Sequence, residues 1–188
     1  MSNKRKVAVV VGSLRKGSYN RLMARAAAEV APESLDLEIV EIGQLPLYNE
    51  DDDHGNPPAA WSDFRRQVKS ADAVLFLTPE YNRSVPGVLK NAIDVGSRPY
   101  GESAWSGKPG AVISVSPGAI GGFGANHHLR QSFVFLDMPM MQQPEAYIGG
   151  AAKLFDESGK LTNDGTRDFL KKFMAAFGGW IEKTAARP

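Results

Sequence analysis

A run of apolar residues near the start of the chain constrains its fold more than any other feature. The run Val7–Val11 is followed at once by Gly12 and Ser13. A continuous, mostly β-branched run that ends in glycine is typical of a strand buried on both faces, as in a parallel sheet covered by helices. The run therefore predicts the first strand of an α/β fold.

The rest of the chain alternates between strand and helix patterns, which predicts a parallel sheet with right-handed crossovers and helices on both faces. Asn20 is predicted to cap the first helix, with Pro32 closing it. The length of 188 residues suits one flavodoxin-like domain, 1–188, with five strands in the order 2-1-3-4-5. The later strands are predicted at 37–42 (at an edge), 73–78, 111–116 and 138–141, and the later helices near 61–71, 88–94, 128–135 and 164–183.

Composition excludes several classes of function. With 22 Lys and Arg against 21 Asp and Glu, the net charge is only +1, so nucleic-acid binding is not indicated. The chain has no cysteine, which excludes disulfides, thiol catalysis and thiolate metal ligation. Redox chemistry would then need a bound cofactor. The first apolar run is too short for a signal or membrane-spanning segment, so we expect a cytoplasmic protein with no membrane insertion.

The loop after the first strand is rich in glycine, hydroxyl and basic residues. It precedes a helix, where backbone amides and the positive helix end favour a phosphate group. Arg15 can bind phosphate through a bidentate fork, and the hydroxyl and amide side chains can donate hydrogen bonds. The alternative is an ordinary tight turn in which Asn20 only caps the helix. The predicted phosphate-binding residues are Ser13, Leu14, Arg15, Lys16, Gly17, Ser18, Tyr19 and Asn20.

The same loop lacks two common nucleotide-binding motifs. Gly12 and Gly17 have the spacing of a P-loop, but Ser18 stands where that motif requires lysine, which argues against nucleotide hydrolysis. No Gly-x-Gly-x-x-Gly sequence follows the first strand, which disfavours a tightly bound dinucleotide. A mononucleotide fits this loop better.

The loop after the third strand begins Pro79-Glu80-Tyr81-Asn82, and together with the first loop it resembles the NADPH-dependent FMN reductase family. That family includes quinone, chromate and azo-dye reductases. The resemblance implies a flavodoxin-like fold with the FMN phosphate in the first loop. It also implies ring-edge contacts from Pro79, Glu80, Tyr81, Asn82 and, after the fourth strand, Ser116. The alternative is a strand-to-helix turn with a solvated Glu80.

Physical chemistry supports this interpretation of the second loop. A flavin edge alternates hydrogen-bond donors and acceptors, which backbone amides and an asparagine on a proline-stiffened loop can recognise. The glycine-rich stretch 114–125 would let a flat ring or a nicotinamide approach the backbone closely. The alternative for that stretch is a flexible surface loop.

Three other groups of residues are interpreted as structural. His127 and His128 point to different helix faces and lack a third ligand at metal-binding spacing, so surface or interface roles are expected, including a pairing with Glu145 across subunits. The acidic stretch 51–53 lacks the spaced ligands of a calcium loop and is predicted to be solvated. The residues expected to fill the core are Phe133, Phe135, Leu136, Met138, Met140, Met141, Phe169, Phe173 and Phe177.

We therefore expect an FMN-dependent oxidoreductase that passes electrons from NADPH or NADH to a small-molecule acceptor by a ping-pong mechanism. No catalytic side chain and no metal site is predicted, and the family resemblance implies a homodimer or homotetramer. Quinones, chromate, azo and nitro compounds all remain open as acceptors. One alternative is a flavodoxin-type electron carrier, which would be strongly acidic. The other is a phosphoacceptor signalling module, which would carry acidic residues where Gly12 and Pro79 stand.

Overall fold

The computed structural model describes residues 4–185 and contains a five-stranded parallel sheet. The strand order is β2-β1-β3-β4-β5, which confirms the predicted flavodoxin-like arrangement. The strands are β1 (Arg5–Val11), β2 (Leu35–Val40), β3 (Ala73–Thr78), β4 (Gly110–Val115) and β5 (Ala146–Ile148). The α-helices are α1 (Tyr19–Val30), α2 (Ala59–Ser70), α3 (Gly87–Gly96), α4 (Phe123–Phe135) and α5 (Asp164–Ala185), with short 3-10 helices at Glu50–Asp53 and Ala151–Lys153.

The sheet separates two apolar layers. Successive residues of β1 point to opposite faces, so Val9 packs with α1 and α5, whereas Val10 packs with α2, α3 and α4. All residues of β3 and β4 are buried, as expected for central strands covered on both sides. β2 lies at the edge of the sheet, as its alternating sequence predicted.

The start of α1 differs from the prediction. The N-cap is Ser18, not Asn20: Ser18 has an extended backbone, and its Oγ accepts a hydrogen bond from the Arg21 amide at 3.3 Å. Asn20 instead lies in the first helical turn and is buried. Because Ser18 caps the helix, the side-chain amide of Asn20 is available for another contact.

The position of the fifth strand was predicted wrongly. The stretch 138–141 forms only an isolated bridge between Met140 and Gly110, and Pro139 within it has no amide hydrogen to donate. The fifth strand is Ala146–Ile148, which pairs with β4 through Tyr147 opposite Ser114. A strand of only three residues carries too little periodicity to be recognised in the sequence.

Most of the predicted core residues are buried. Phe133 and Met138 are buried in the layer that contains α2, α3 and α4. Met141 is buried in the other layer, together with Phe173 and Phe177 on the inner face of α5. Phe135 is an exception: its side chain is 81% exposed at the end of α4. The remaining three, Leu136, Met140 and Phe169, are partly buried against these clusters.

Among the described α-helices, α5 is the longest, at 22 residues. Its buried face alternates with charged positions such as Lys171 and Lys172, which are exposed. Within residues 4–185, no helix combines the length and the apolar character needed to cross a membrane.

Candidate cofactor site

Three loops with predicted site residues meet at the carboxyl edge of the sheet. They follow β1, β3 and β4, which are neighbours in the sheet, so parallel pairing carries all three loops to the same edge. Gly12 allows the first loop to leave the sheet close to α3, because a Cβ at this position would lie 2.8 Å from Leu89 Cδ2. A larger residue would therefore push the first loop away from α3.

The loop after β1 presents an uncompensated positive environment. Ser13 and Ser18 are buried, whereas Leu14, Arg15, Lys16 and Gly17 are exposed. The first turn of α1 contains no acidic side chain, and neither Arg15 nor Lys16 takes part in a salt bridge within the described part of the chain. Helix amides and free cations together favour an anion at this position.

The Asn20 side chain connects this loop to the end of β4. Its Nδ2 donates to the Val115 carbonyl at 3.3 Å, while its buried Oδ1 has no hydrogen-bond partner among residues 4–185. An unsatisfied buried acceptor costs about 1 to 3 kcal/mol, so a hydroxyl or amide of a ligand would stabilise it. A ligand that carries both an anionic group and hydroxyl groups, as FMN does with its phosphate and ribityl chain, fits these residues.

The loop after β3 is a tight, hydrogen-bonded turn. Tyr81 and Ser84 exchange backbone hydrogen bonds of 3.0 and 2.9 Å, and Asn82 and Arg83 between them have φ values of 50° and 63°. Asparagine tolerates this left-handed conformation better than most residues. The turn holds Tyr81 and Asn82 on the surface, where both side chains are exposed.

Glu80 belongs to the same loop, but its carboxylate contacts the protein. Oε2 accepts a hydrogen bond from the Ala125 amide at 3.1 Å, and Oε1 accepts one from Arg83 Nη1 at 3.2 Å. The Glu80 side chain is only 13% exposed. Glu80 is therefore not the solvated residue that the alternative interpretation of this loop required.

The loop after β4 is held against β5. Ser116 donates its amide to the Ile148 carbonyl at 2.9 Å, and its Oγ accepts from the Gly118 amide at 3.1 Å. Glycines permit this packing: a Cβ on Gly121 would lie 2.6 Å from the Tyr147 carbonyl carbon. These contacts disagree with the alternative of a flexible surface loop. Ser116 itself is half-buried at the site.

Sequence reasoning missed the loop after β2, which lies beside the loop after β1. A Cβ on Gly43 would be 3.2 Å from Leu14 Cδ2. The Asn91 side chain on α3 fixes this loop, since Oδ1 accepts from the Tyr48 amide at 2.8 Å and Nδ2 donates to the Pro46 carbonyl at 2.9 Å. The apolar setting of Asn91 inside α3 was the sequence signal that could have revealed this contact.

The prediction that the acidic stretch 51–53 is solvated was wrong for Asp53. Its side chain is 4% exposed and forms two 2.7 Å hydrogen bonds with Arg65 of α2. These hydrogen bonds hold the pKa of Asp53 below its usual value. Burial, and then the negative charge of Asp53, raise the pKa of Tyr48. Asp51 and Asp52 are exposed, as predicted.

The two histidines of α4 have different partners. His127 Nε2 is 3.0 Å from the Tyr147 hydroxyl, and His128 Nδ1 is 3.0 Å from Ser84 Oγ. Burial is the main cause that raises the pKa of Tyr147 to about 12, and the neighbouring Glu145 carboxylate is a smaller cause. The pairing of Glu145 with a histidine across subunits stays a prediction. No group of three or more potential metal ligands occurs within residues 4–185.

Comparison with known sequences gives matches over almost the whole chain. Residues 5–153 match the model of the NADPH-dependent FMN reductase family. A quinone reductase from Pseudomonas putida is 70% identical over 186 residues, which cover 99% of this chain and 100% of that protein. A 2-hydroxy-1,4-benzoquinone reductase from Burkholderia sp is 48% identical over 176 residues, covering 94% and 96% of the two chains.

Comparison with solved structures gives the same picture. The flavoenzyme NAD(P)H:(acceptor) oxidoreductase FerB from Paracoccus denitrificans superposes with a TM-score of 0.90 at 43% sequence identity. The match covers 96% of this chain and 98% of FerB. Sequence and structure therefore agree over nearly the full length of both proteins.

Proposed function

The chain belongs to the NADPH-dependent FMN reductase family, and from this premise we propose how it acts as an NAD(P)H-dependent FMN and quinone reductase. FMN is its cofactor, and a reduced nicotinamide is its electron donor. The observation that carries the proposal is the convergence of three loops at one edge of the sheet. One of them leads into a helix whose first turn lacks an acidic side chain, and the buried Asn20 Oδ1 beside it has no partner in the described part of the chain.

We assign the FMN phosphate to the loop after β1. Arg15 supplies a free cation, Ser13 and Ser18 supply hydroxyl groups, and the amides at the start of α1 supply further donors. We also assign a cofactor hydroxyl to Asn20 Oδ1, because this buried oxygen has no partner within residues 4–185, whereas Nδ2 is bonded to the Val115 carbonyl. The remaining contacts proposed for this loop come from Leu14, Lys16, Gly17 and Tyr19.

We assign the ring of FMN to the loops after β3 and β4. The backbone of Pro79 to Asn82 leads into the hydrogen-bonded turn between Tyr81 and Ser84, which suits recognition of the ring edge. Tyr81 offers an exposed aromatic surface beside it. Ser116 completes the assigned contacts. When bound, FMN supplies hydride transfer from the nicotinamide and two-electron transfer to the acceptor. The chain binds and orients the reactants and needs no acid–base pair of its own.

The reactants are proposed to use one open face in turn, which is a ping-pong mechanism. Quinones are the proposed principal acceptors, and chromate, azo and nitro compounds are further candidates because one reduced cofactor can reduce all of them. Initial rates measured at several NADPH and quinone concentrations would then give parallel double-reciprocal lines. Intersecting lines would contradict sequential use of the same face.

The visible absorption spectrum of the purified protein tests the central proposal. We expect flavin bands that bleach on anaerobic addition of NADPH and return when a quinone is added. Bands that neither NADPH nor NADH can bleach would favour a flavodoxin-type carrier. A protein that takes up no flavin after soaking with FMN would overturn the proposed site.

We also propose a homodimer or homotetramer located in the cytoplasm, where reduced nicotinamides are available. Two adjacent apolar side chains at the end of α4, Val134 and Phe135, support an assembly between copies, since each is 81% exposed. Burial of these side chains against a second copy would remove their apolar surface from water.

A further inference from the structure

Helix α4 begins without a cap of its own. Its N-cap residue is Gly122, which has a φ of 77° and no side chain to accept a hydrogen bond. The first turn of the helix also contains no acidic residue. The amides of the first turn have no partners within an α-helix, so α4 needs an acceptor from elsewhere in the chain.

Glu80 supplies that acceptor from the loop after β3. Its Oε2 accepts a hydrogen bond from the amide of Ala125, the third residue of the helix, at 3.1 Å. The contact joins residues 45 positions apart in the chain. A carboxylate at this end of a helix is also favoured by the helix dipole. Glu80 therefore performs for α4 the role that an N-terminal aspartate or serine performs in other helices.

Gly124 makes this contact possible. A Cβ on Gly124 would lie 2.9 Å from Glu80 Oε2 and 2.9 Å from the Arg83 carbonyl oxygen. Real Cβ atoms do not approach other atoms this closely, so a side chain at 124 would displace either the carboxylate or the turn. Glycine at position 124 therefore leaves the space that the Glu80 carboxylate occupies.

We propose that Glu80 is a positioning residue of the reductase. Its carboxylate caps α4 and in this way fixes the turn that carries Pro79, Tyr81 and Asn82 in the orientation needed to hold the FMN ring. This inference rests on the proposed function for the location of the ring. Glu80 acts through its hydrogen bond to Ala125, and the exposed ion pair with Arg83 contributes little, because Arg83 is 75% exposed.

Four variants separate these contributions. Glu80→Ala removes the cap, while Glu80→Gln keeps an oxygen that can accept from the Ala125 amide. Gly124→Ala disrupts the same hydrogen bond by adding a methyl group on α4, and it leaves the Glu80 side chain unchanged. Arg83→Gln is the matched control, because it removes the ion pair and leaves the cap in place.

The readouts are the Kd for FMN from fluorescence titration and the visible circular dichroism of the bound flavin, with the thermal unfolding of each apo variant measured in parallel. We expect Glu80→Ala and Gly124→Ala each to weaken FMN binding about tenfold, as for loss of one hydrogen bond to a charged group. Both should alter the dichroism spectrum. Glu80→Gln and Arg83→Gln should bind FMN within about twofold of the parent chain.

The double variant Glu80→Ala/Gly124→Ala should bind FMN no more weakly than either single variant, because both changes remove one contact. Fully additive losses, or a Glu80→Gln variant as weak as Glu80→Ala, would overturn the positioning role. Parent-like FMN binding by Glu80→Ala would do the same while leaving the proposed function intact. Failure of the parent chain to bind FMN would instead overturn the proposed function.

Discussion

At the scale of single residues, the candidate site shows which roles a sequence can and cannot assign. Ser18 and Asn20 are both good N-cap residues, and they stand two positions apart. The backbone conformation of Ser18 decides which of them caps α1, and this conformation depends on how the loop leaves β1. The start of α1 was therefore predictable to within two residues, whereas the choice of Ser18 over Asn20 as the N-cap was not.

Arg15 provides a prediction at this scale. Arg15→Ala should weaken FMN binding by about 1.5 to 3 kcal/mol, because it removes a charge-assisted contact to the phosphate. This loss corresponds to a Kd about 10- to 150-fold higher in a flavin fluorescence titration. The Kd of Arg15→Lys should fall between those of the parent chain and Arg15→Ala, since lysine keeps the charge and loses the bidentate fork.

The matched control for Arg15 is Arg25→Ala, which removes an exposed arginine from α1 further from its N-terminus. It should leave the Kd unchanged. Riboflavin, which lacks the phosphate, should bind the parent chain and Arg15→Ala equally. A loss of riboflavin affinity in Arg15→Ala would contradict the assignment of Arg15 to the phosphate.

At the scale of elements, strands with long apolar runs were predictable and segments built on tertiary contacts were not. β3 begins with its apolar run and extends only one residue beyond it, to Thr78, because a strand buried on both faces is almost entirely apolar. The loop after β2 depends instead on Asp53, Arg65 and Asn91, whose partners are distant in sequence. From the sequence alone, its charged residues predict a solvated segment, because their contacts with α2 and α3 form only in the folded chain.

Asp53→Asn tests whether the buried ion pair stabilises this loop. We expect a loss of about 3 kcal/mol at pH 7 in urea unfolding, because Arg65 would keep a buried charge without a counterion. The folded pKa of Asp53 lies below its unfolded value of about 3.9. The stabilisation is therefore full above that value and is lost as the pH falls through the folded pKa.

The difference between the parent chain and Asp53→Asn should accordingly stay constant from pH 7 to about pH 5 and shrink below about pH 4. Asp51→Asn is the control, since Asp51 is exposed and lies two positions away. A difference that grows as the pH falls would show that Asp53 is not the ionised partner of Arg65.

At the scale of the whole molecule, the parallel sheet followed from the alternation of strands and helices, and its strand order from the length of the chain. The outer surface was less predictable. Phe135 was expected in the core because it belongs to an apolar stretch, but two residues beyond buried Phe133 the helix has turned to its outer side. Helical periodicity within α4 contained this information.

The exposed pair at the end of α4 predicts the assembly of the molecule. The double substitution Val134→Glu/Phe135→Glu should convert the proposed dimer or tetramer into a smaller species, because charges would be buried in an apolar interface. Light scattering coupled to size exclusion measures the change. Ser62→Glu, on the exposed side of α2, is the control and should keep the parent mass. A parent chain that is already monomeric would contradict the proposed assembly.

The three loops at the carboxyl edge also couple the cofactor to the folding equilibrium of the entire chain. They follow β1, β3 and β4, so the proposed FMN site exists only after crossovers spanning more than half of the sequence have formed. An unfolded chain offers no partial version of this site, and the binding free energy of FMN then adds to global stability. At a free FMN concentration 100 times the Kd, this linkage contributes about 2.7 kcal/mol. The amount of protein that a cell retains would thus rise and fall with its supply of flavin.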